Sequence, residues 1–555
     1  MRYSALCMAA LLVACGSRTS DGPAGNAGRA DAPAPWFVEN AHGRGLRFEH
    51  ESGAAGELLM PEIMCGGAAL FDGDGDGDLD AYLVQAGSVR GPSSDRAPNQ
   101  LYANDGSGQF TDVTEGSGAD DRGYGNGVTT GDLNGDGHVD LYVTNLGPNR
   151  LLVGSGDLRF EQRLESGSED AGWGTSALAF DADRDGDLDL YVANYLIWSP
   201  DNELPCVDVQ GAPDYCSPAS YESPAPDALL LNDGSGSFRD VTREAGVAAV
   251  GTGLGVGALD ADEDGDLDLF VANDGMPDRM WWNQGVDAGL PRFTDRAADL
   301  GLAVDGDGVA KAGMGVAIAD LDGDGLEDLL VGNLARESDS IFLNRRGRFA
   351  DSTRRLGMGA VSRPFNRFGL GFHDFDLDGR LDLYQTNGRV QLGDLTADDP
   401  YAEPDLLLRG LESGGFEAVS PRAGVANSLV ATGRAAAFGD VDADGRVDVL
   451  VVNRDAAAHL LIGQDSGATG TWVGFDLRDA KGAPALHARV ELETSNGERS
   501  ARARSGYSYQ SASDPRIHFG LAEGERVESA TVRWTDGIEQ RVEFAVGRYI
   551  RVDRN

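Results

Sequence analysis

A nine-residue unit of the form Asp-x-Asp-x-Asp-Gly-x-x-Asp occurs seven times in this chain, and it constrains the fold more than any other feature. The copies are 72–80, 132–140, 181–189, 260–268, 320–328, 374–382 and 440–448, with starts 60, 49, 79, 60, 54 and 66 residues apart. Recurrence at such intervals marks a repeat architecture built from one supersecondary unit.

The positions within the unit carry the chemistry. Positions 1, 3, 5 and 9 offer a side-chain oxygen in every copy. They are Asp72, Asp74, Asp76 and Asp80, then Asp132, Asn134, Asp136 and Asp140, then Asp181, Asp183, Asp185 and Asp189. The later copies supply Asp260, Asp262, Asp264 and Asp268, then Asp320, Asp322, Asp324 and Asp328. The last two supply Asp374, Asp376, Asp378 and Asp382, and Asp440, Asp442, Asp444 and Asp448. Position 6 is always glycine, as a sharp turn with permissive φ demands. Position 7 varies freely (Asp78, His138, Asp187, Asp266, Leu326, Arg380, Arg446), so its backbone carbonyl is the expected ligand. Oxygens at 1, 3, 5, 7 and 9 wrap a hard cation at about 2.3–2.6 Å, which is calcium chemistry. Magnesium ranks second, because it wants tighter octahedral geometry and keeps its waters. About seven structural Ca²⁺ sites are therefore expected. An EF-hand would place Glu at position 12, where this chain has Leu83, Val143, Val192, Val271, Val331, Gln385 and Val451.

The flanks are strand-like, as in Ala68-Ala69-Leu70-Phe71 before the first loop and Ala81-Tyr82-Leu83-Val84 after it. Further pieces recur: Leu101-x-x-Asn104 and Leu229-x-x-Asn232, then aromatic runs such as Phe110-Thr-Asp112 and Phe238-Arg-Asp240, then glycine-rich entries such as Gly313-Met-Gly315 and Gly369-Leu-Gly371. Four strands per repeat predict an all-β chain with a seven-bladed β-propeller over 36–467. The glycines precede strands rather than helices, which excludes a Rossmann or P-loop reading. The last repeat lacks its aromatic strand and Phe37-Val-Glu39 stands alone at the other end, so that N-terminal strand is expected to complete the last blade.

The chain of 555 residues carries 91 acidic against 46 basic groups, a formal charge of −45, which excludes nucleic acid as a partner. Twenty-seven carboxylates at the four ligand positions would repel strongly without cations. Residues 469–555 differ: 13 acidic and 13 basic side chains balance, no such loop occurs, and alternating runs predict a small β-sandwich or barrel module over 468–555. Arg2 and the apolar run Ala5–Ala14 read as a signal peptide over 1–14. Leu12-Val13-Ala14-Cys15 resembles a bacterial lipobox, which implies lipidation of Cys15, a flexible tether over 15–35, and export to the bacterial cell envelope. Gly16 in place of Asp favours the outer membrane, and the anchor would be the chain's one link to lipid. Cys206 and Cys216 lie ten apart in an irregular proline-rich stretch and are expected to form a disulfide worth about 3 kcal/mol. Cys65 reads as a buried free thiol.

The acidic loops, glycine entries and Phe-x-Asp-Val-Thr strands resemble FG-GAP/VCBS repeats. With Gly506-Tyr507-Ser-Tyr-Gln510, His518-Phe519-Gly520-Leu521 and Trp534-Thr-Asp536-Gly537, the chain resembles the ASPIC/UnbV family over about 36–555. Thr535 and His487 depart from the family's usual Pro and Gly. The resemblance implies a calcium-binding propeller and says little about activity. Gly-x-Ser-x-Gly, His-Glu-x-x-His and Cys-x-x-Cys are absent from the sequence, and its seven histidines are scattered. The reading is a monomeric, lipid-anchored binding or adhesion protein for an envelope or extracellular protein or glycan, not an enzyme. The alternatives are a metal-assisted extracytoplasmic enzyme on a glycan or phosphoester, or a periplasmic accessory factor. The aromatic insertion Tyr195–Pro226 reads equally as a binding epitope or a lid.

Overall fold

The structure, a computed structural model, describes residues 34–393, 397–467 and 469–554. The expected signal peptide, Cys15 and all but the end of the tether lie outside the described residues. Among those described, no helix is long and apolar enough to cross a membrane.

Each repeat folds into its own small antiparallel sheet. A first strand ends immediately before position 1 of the loop, and position 9 opens the second strand: Ala68–Phe71 leads to Asp80–Leu83, and Gly174–Phe180 to Asp189–Asn194. The third and fourth strands follow, as Gln100–Asn104 and Phe110–Asp112 in the first sheet. The last sheet has its fourth strand from the other end of the chain, with Phe37 opposite Gly463 and Glu39 opposite Leu461. The first strands of successive sheets pack side by side, and Gly433–Gly439 of the seventh packs on Ala68–Phe71 of the first. Between neighbouring sheets lie apolar clusters; one unites Leu70, Leu83 and Tyr102 with Leu450, Val452 and Leu460.

These sheets correct the expected architecture. Among the described residues the protein is a set of small, mostly antiparallel sheets, and none closes into a barrel or into a seven-bladed propeller. Neighbouring sheets meet through side chains rather than a hydrogen-bonded circuit, and the inner edge of the first sheet is already occupied. There, Ala68 and Ala69 pair in parallel with Ser511 and Ala512, which makes a six-stranded sheet. The C-terminal strands likewise form an open three-stranded sheet, Ile517–Leu521, Thr471–Arg478 and Tyr549–Asp553, and an open four-stranded sheet around Arg489–Thr494 and Val527–Arg533.

The segment Ser505–Ser513 runs between the first strands. Ser508 exchanges backbone bonds with Val316 at 2.7 and 2.9 Å, its hydroxyl donates to Ala436 O at 3.0 Å, and that same hydroxyl accepts from Leu370 N at 2.9 Å. Ser505 donates to Thr130 O, Gln510 N donates to Ser176 Oγ, and Tyr509 Oη donates to Met64 O. Glycine at position 315 permits this approach, since a Cβ there would sit 2.1 Å from Phe368 O and 3.1 Å from Ser508 O. Gly315→Ala is expected to cost at least ~3 kcal/mol by overpacking against backbone, read by denaturant titration. A variant as stable as the parent would contradict this packing.

Cys206 and Cys216 are disulfide-bonded, and Cys65 is a free, buried thiol that burial pushes up to about 12. The 195–226 insertion is anchored to the rest of the chain by its aromatic side chains. Tyr195, Trp198 and Tyr215 turn inward onto Met60, Met64, Trp173 and Tyr401, at the starts of the first strands. Tyr215 Oη donates to Glu62 at 3.0 Å, while Ile197 and Val209 face solvent.

Candidate metal-binding loops

Each acidic loop turns on the same two backbone devices. The position 6 glycines all have φ between 85° and 96°, in the left-handed region. Position 4 is left-handed as well, including the non-glycine residues Arg184, Glu263, Leu377 and Ala443 at φ 55–62°. Left-handed backbone costs a residue with a Cβ roughly 1–2 kcal/mol. Ala443→Gly is therefore expected to stabilise the chain by about 0.5–1 kcal/mol after the glycine's extra unfolded-state entropy. A drop in the melting temperature of that variant would refute the assignment.

The ligand side chains are held by backbone amides. In six loops the position 6 N–H donates to Oδ2 of position 1, for example Gly137 to Asp132 at 2.9 Å. In all seven the position 7 N–H donates to Oδ1 of position 5, at 2.8–3.1 Å. These bonds gather carboxylate oxygens within 4.8 Å of one another: Asp72, Asp74 and Asp76; Asp181, Asp183 and Asp189; Asp260, Asp262 and Asp264; Asp320, Asp322 and Asp324; Asp374, Asp376 and Asp382. Such groups can hold a divalent metal. The donor set fits one by a further observation: Asp183 Oδ1, Asp260 Oδ1, Asp376 Oδ1 and Asp442 Oδ1 are buried without a hydrogen-bond partner. A buried, unsatisfied carboxylate oxygen is costly, and a hard cation is the partner it lacks.

Position 9 has a second role that the sequence reading did not assign. Its Oδ2 accepts the N–H of position 2, and its Oδ1 accepts an N–H from the end of the third strand. Asp189, for instance, takes Ala182 N and Asn232 N at 2.8 Å each, and Asp268 takes Ala261 N at 3.3 Å and Asn283 N at 2.7 Å. The pattern holds in all seven sheets. Several of the third-strand asparagines also bridge neighbouring sheets: Nδ2 of Asn104 donates to Val441 O, of Asn232 to Leu133 O and of Asn344 to Ala261 O. The signal was present in sequence, since position 9 is never Asn and the Leu-x-x-Asn motif recurs. Asp268→Ala is expected to cost about 3–5 kcal/mol even in EDTA, because it strips partners from buried amides. Asp264→Ala, at an exposed position, is expected to cost under ~1 kcal/mol in EDTA and to show its main effect in calcium. Equal costs for the two in EDTA would sink this division of roles.

Without a cation the acids hold protons tightly. Burial pushes Asp80, Asp140, Asp328 and Asp440 up to about 7, and Asp189 and Asp268 up to about 8. Burial, then the charges of Asp378 and Asp376, push Asp374 up to about 8. Basic side chains offset part of the charge. Lys481 faces Asp187 at 3.1 Å, Arg184 faces Asp266 at 2.7 Å, and Arg44 faces Asp442 at 2.9 Å. Arg345 meets both Asp322 and Asp324, and Arg409 both Asp376 and Asp378. In the fifth and sixth loops, then, a cation competes with a guanidinium. Burial lowers His487 and His518 to about 4, and their Nε2–H groups are donated to Ala179 O and Gly445 O.

Comparison with known proteins agrees with these elements. Residues 478–554 match the family model described as ASPIC and UnbV, and 72–143, 132–192, 260–331 and 320–384 match the FG-GAP-like repeat. The chain is thus similar to FG-GAP-like repeats over those stretches and to the ASPIC and UnbV family over its C-terminal segment. Its relatives include cartilage acidic protein 1 of Mus musculus, 26% identical over 497 residues that cover 85% of this chain and 70% of the relative. The Homo sapiens protein of that name is also 26% identical, over 85% of this chain and 69% of its own length. Among solved structures, a lectin of Agrocybe aegerita that recognises non-reducing terminal N-acetylglucosamine aligns with a TM-score of 0.39 and 16% identity, over 72% of this chain and 88% of that one. The bacterial lipoprotein assignment is corrected by these relatives. They are animal proteins, so a bacterial envelope location and an outer-membrane anchor are not retained.

Proposed function

We propose that this chain is a calcium-stabilised binding protein, with Ca²⁺ in each of its seven acidic loops and a protein or glycan as its ligand. The observation that carries the metal reading is the set of buried carboxylate oxygens without partners at Asp183, Asp260, Asp376 and Asp442. Calcium is favoured over magnesium because the loop supplies many protein oxygens from one flexible turn and leaves few places for retained water. Binding rather than catalysis is supported by the loop carboxylates, which backbone amides hold in place for a cation, and by His487 and His518, whose imidazoles burial keeps neutral and which donate to carbonyls. The test has two arms. Metal analysis after dialysis against about 1 mM Ca²⁺ should find about seven Ca²⁺ per chain. Capture of glycans on an array, or of proteins from an extracellular extract, should occur in calcium and fail in EDTA. Stoichiometry near zero overturns the metal reading, and capture that is the same in both media overturns its link to binding.

A further inference from the structure

In each repeat sheet the third strand ends on the residue whose N–H meets position 9 of the loop: Asn104, Gly154, Asn232, Asn283, Asn344, Gly410 and Gly463. The residue just before it is Ala103, Val153, Leu231, Trp282, Leu343 and Ile462 in six of the sheets. In the sixth sheet it is Arg409. One strand position is therefore apolar in six sheets and cationic in the other.

The guanidinium reaches the sixth loop. Arg409 Nη2 lies 2.8 Å from Asp376 Oδ2 and 2.7 Å from Asp378 Oδ2, between positions 3 and 5. The other oxygen of Asp376, Oδ1, is buried without a hydrogen-bond partner. The remaining charged groups at the loop have partners of their own. Asp374 accepts from Asp378 N and Gly379 N, and Asp382 from Phe375 N and Gly410 N. Arg380, at position 7, pairs with Asp378 and donates from Nε to Gly410 O at 3.1 Å. Arg499 donates to Gly379 O at 3.3 Å and pairs with Glu525. Glu417, opposite Arg409 on the fourth strand, makes no ion pair with it among the described residues. One guanidinium nitrogen thus bridges two oxygens that a metal in this loop would take.

The bridge can be exchanged. The Arg409 side chain is 38% exposed, so solvent and ions reach it. A second resting place lies beside it, since Cζ is 5.9 Å from the centre of the Trp36 ring and an indole face attracts a guanidinium. A divalent ion and a guanidinium repel each other at such short range, so they do not share the same two oxygens. We infer that Arg409 gates the sixth loop: its guanidinium holds Asp376 and Asp378 when calcium is scarce and yields them as calcium rises, which raises the calcium concentration at which this loop fills. This inference rests on the metal half of the proposed function and adds a regulated site.

The test is hydrogen exchange of the full chain at neutral pH, read by mass spectrometry on peptides covering 374–382 and 72–80, over free calcium of about 10⁻⁶–10⁻² M. Both peptides should gain protection as calcium rises. Arg409→Leu gives the sixth sheet the residue that Leu231 and Leu343 supply in the third and fifth. In that variant the midpoint for 374–382 should fall about tenfold, as loss of one charge-assisted competitor implies, and the midpoint for 72–80 should stay. The variant should also melt below the parent in EDTA, where Asp376 and Asp378 lose their partner, and at or above it in saturating calcium. A packing role alone would lower both melting temperatures. If Arg409→Leu fails to fold, Arg409→Gln keeps the length and removes the charge, and the same midpoint should fall. An unchanged or raised midpoint in a folded variant, with 72–80 still protected by calcium, overturns the gate and leaves the metal reading standing. Failure of both variants to fold even in calcium makes Arg409 a structural residue and overturns the gate as well. Calcium protection of neither peptide overturns both readings.

Discussion

Chelation should lower the melting temperature by roughly 10 °C, and calcium should restore it. At a free calcium concentration about tenfold above each dissociation constant, one site contributes about 1.4 kcal/mol, and seven independent sites about 10 kcal/mol. Unfolding entropy of ~2.1 cal/mol/K per residue gives about 1.1 kcal/mol/K for a body of this size, hence a shift near 10 °C. The pH dependence gives a second, sharper signature. A group whose pKa is raised on folding stabilises the folded state below its unfolded value, and that contribution is lost as pH climbs through the folded value. Burial raises Asp80, Asp140 and Asp328 to about 7 and Asp189 and Asp268 to about 8. The metal-free protein should therefore lose stability steadily from pH 4 to pH 8. In calcium the order reverses, because the cation binds the ionised acids and is displaced by protons at low pH. Calorimetry at pH 5 and pH 8, in calcium and in EDTA, reads both effects. Four identical melting curves would remove calcium from any account of this fold.

The division between what sequence showed and what it hid follows from the range of the interactions involved. The loops were legible because their chemistry is local: ligand spacing, the position 6 glycine and the following strand all fall within about a dozen residues. The outer strand at Phe37–Glu39 was legible from the phase of the repeats, since one end lacked a piece that stood alone at the other. What did not show was how the sheets relate to one another. Whether Ala68 pairs with Ser511, or Asn104 reaches Val441, depends on residues hundreds of positions apart, and no periodicity records such a pairing. The neutral charge of 469–555 has a structural cause that composition does not show: several of its basic side chains serve the acidic loops. Arg478 pairs with Asp72, Lys481 with Asp187, and Arg502 and Arg504 with Glu327. The insertion 195–226 looked equally like an epitope or a lid because burial of Trp198 and Tyr215 depends on Met60, Met64 and Tyr401, which the chain brings from far away.

Removal of residues 469–555 should leave a chain that does not fold cooperatively. The segment Ser505–Ser513 hydrogen-bonds to six of the seven repeat sheets, through Val128 and Thr130, Ser176, Val316, Leu370, Ala436, and the strand of Ala68–Ala69. Without it, backbone groups such as Val316 N and Val128 N lose their partners and the glycine-lined first strands face a void. Each buried group left unsatisfied costs about 1–3 kcal/mol, and a domain's whole stability is about 5–15 kcal/mol, so a handful of losses exceeds the margin. Tyr509→Ala tests the same segment without a truncation. Its ring is fully buried, 5.0 Å from Phe368, and its hydroxyl donates to Met64 O at 2.9 Å. Loss of the ring and the hydrogen bond should cost about 3–5 kcal/mol. Ile538→Ala, at a half-exposed position in the same C-terminal region, should change stability by under ~1 kcal/mol. If 36–467 alone melts cooperatively near the temperature of the full chain, or if Tyr509→Ala is no worse than Ile538→Ala, the C-terminal segment is an appendage and not the element on which the repeat sheets converge.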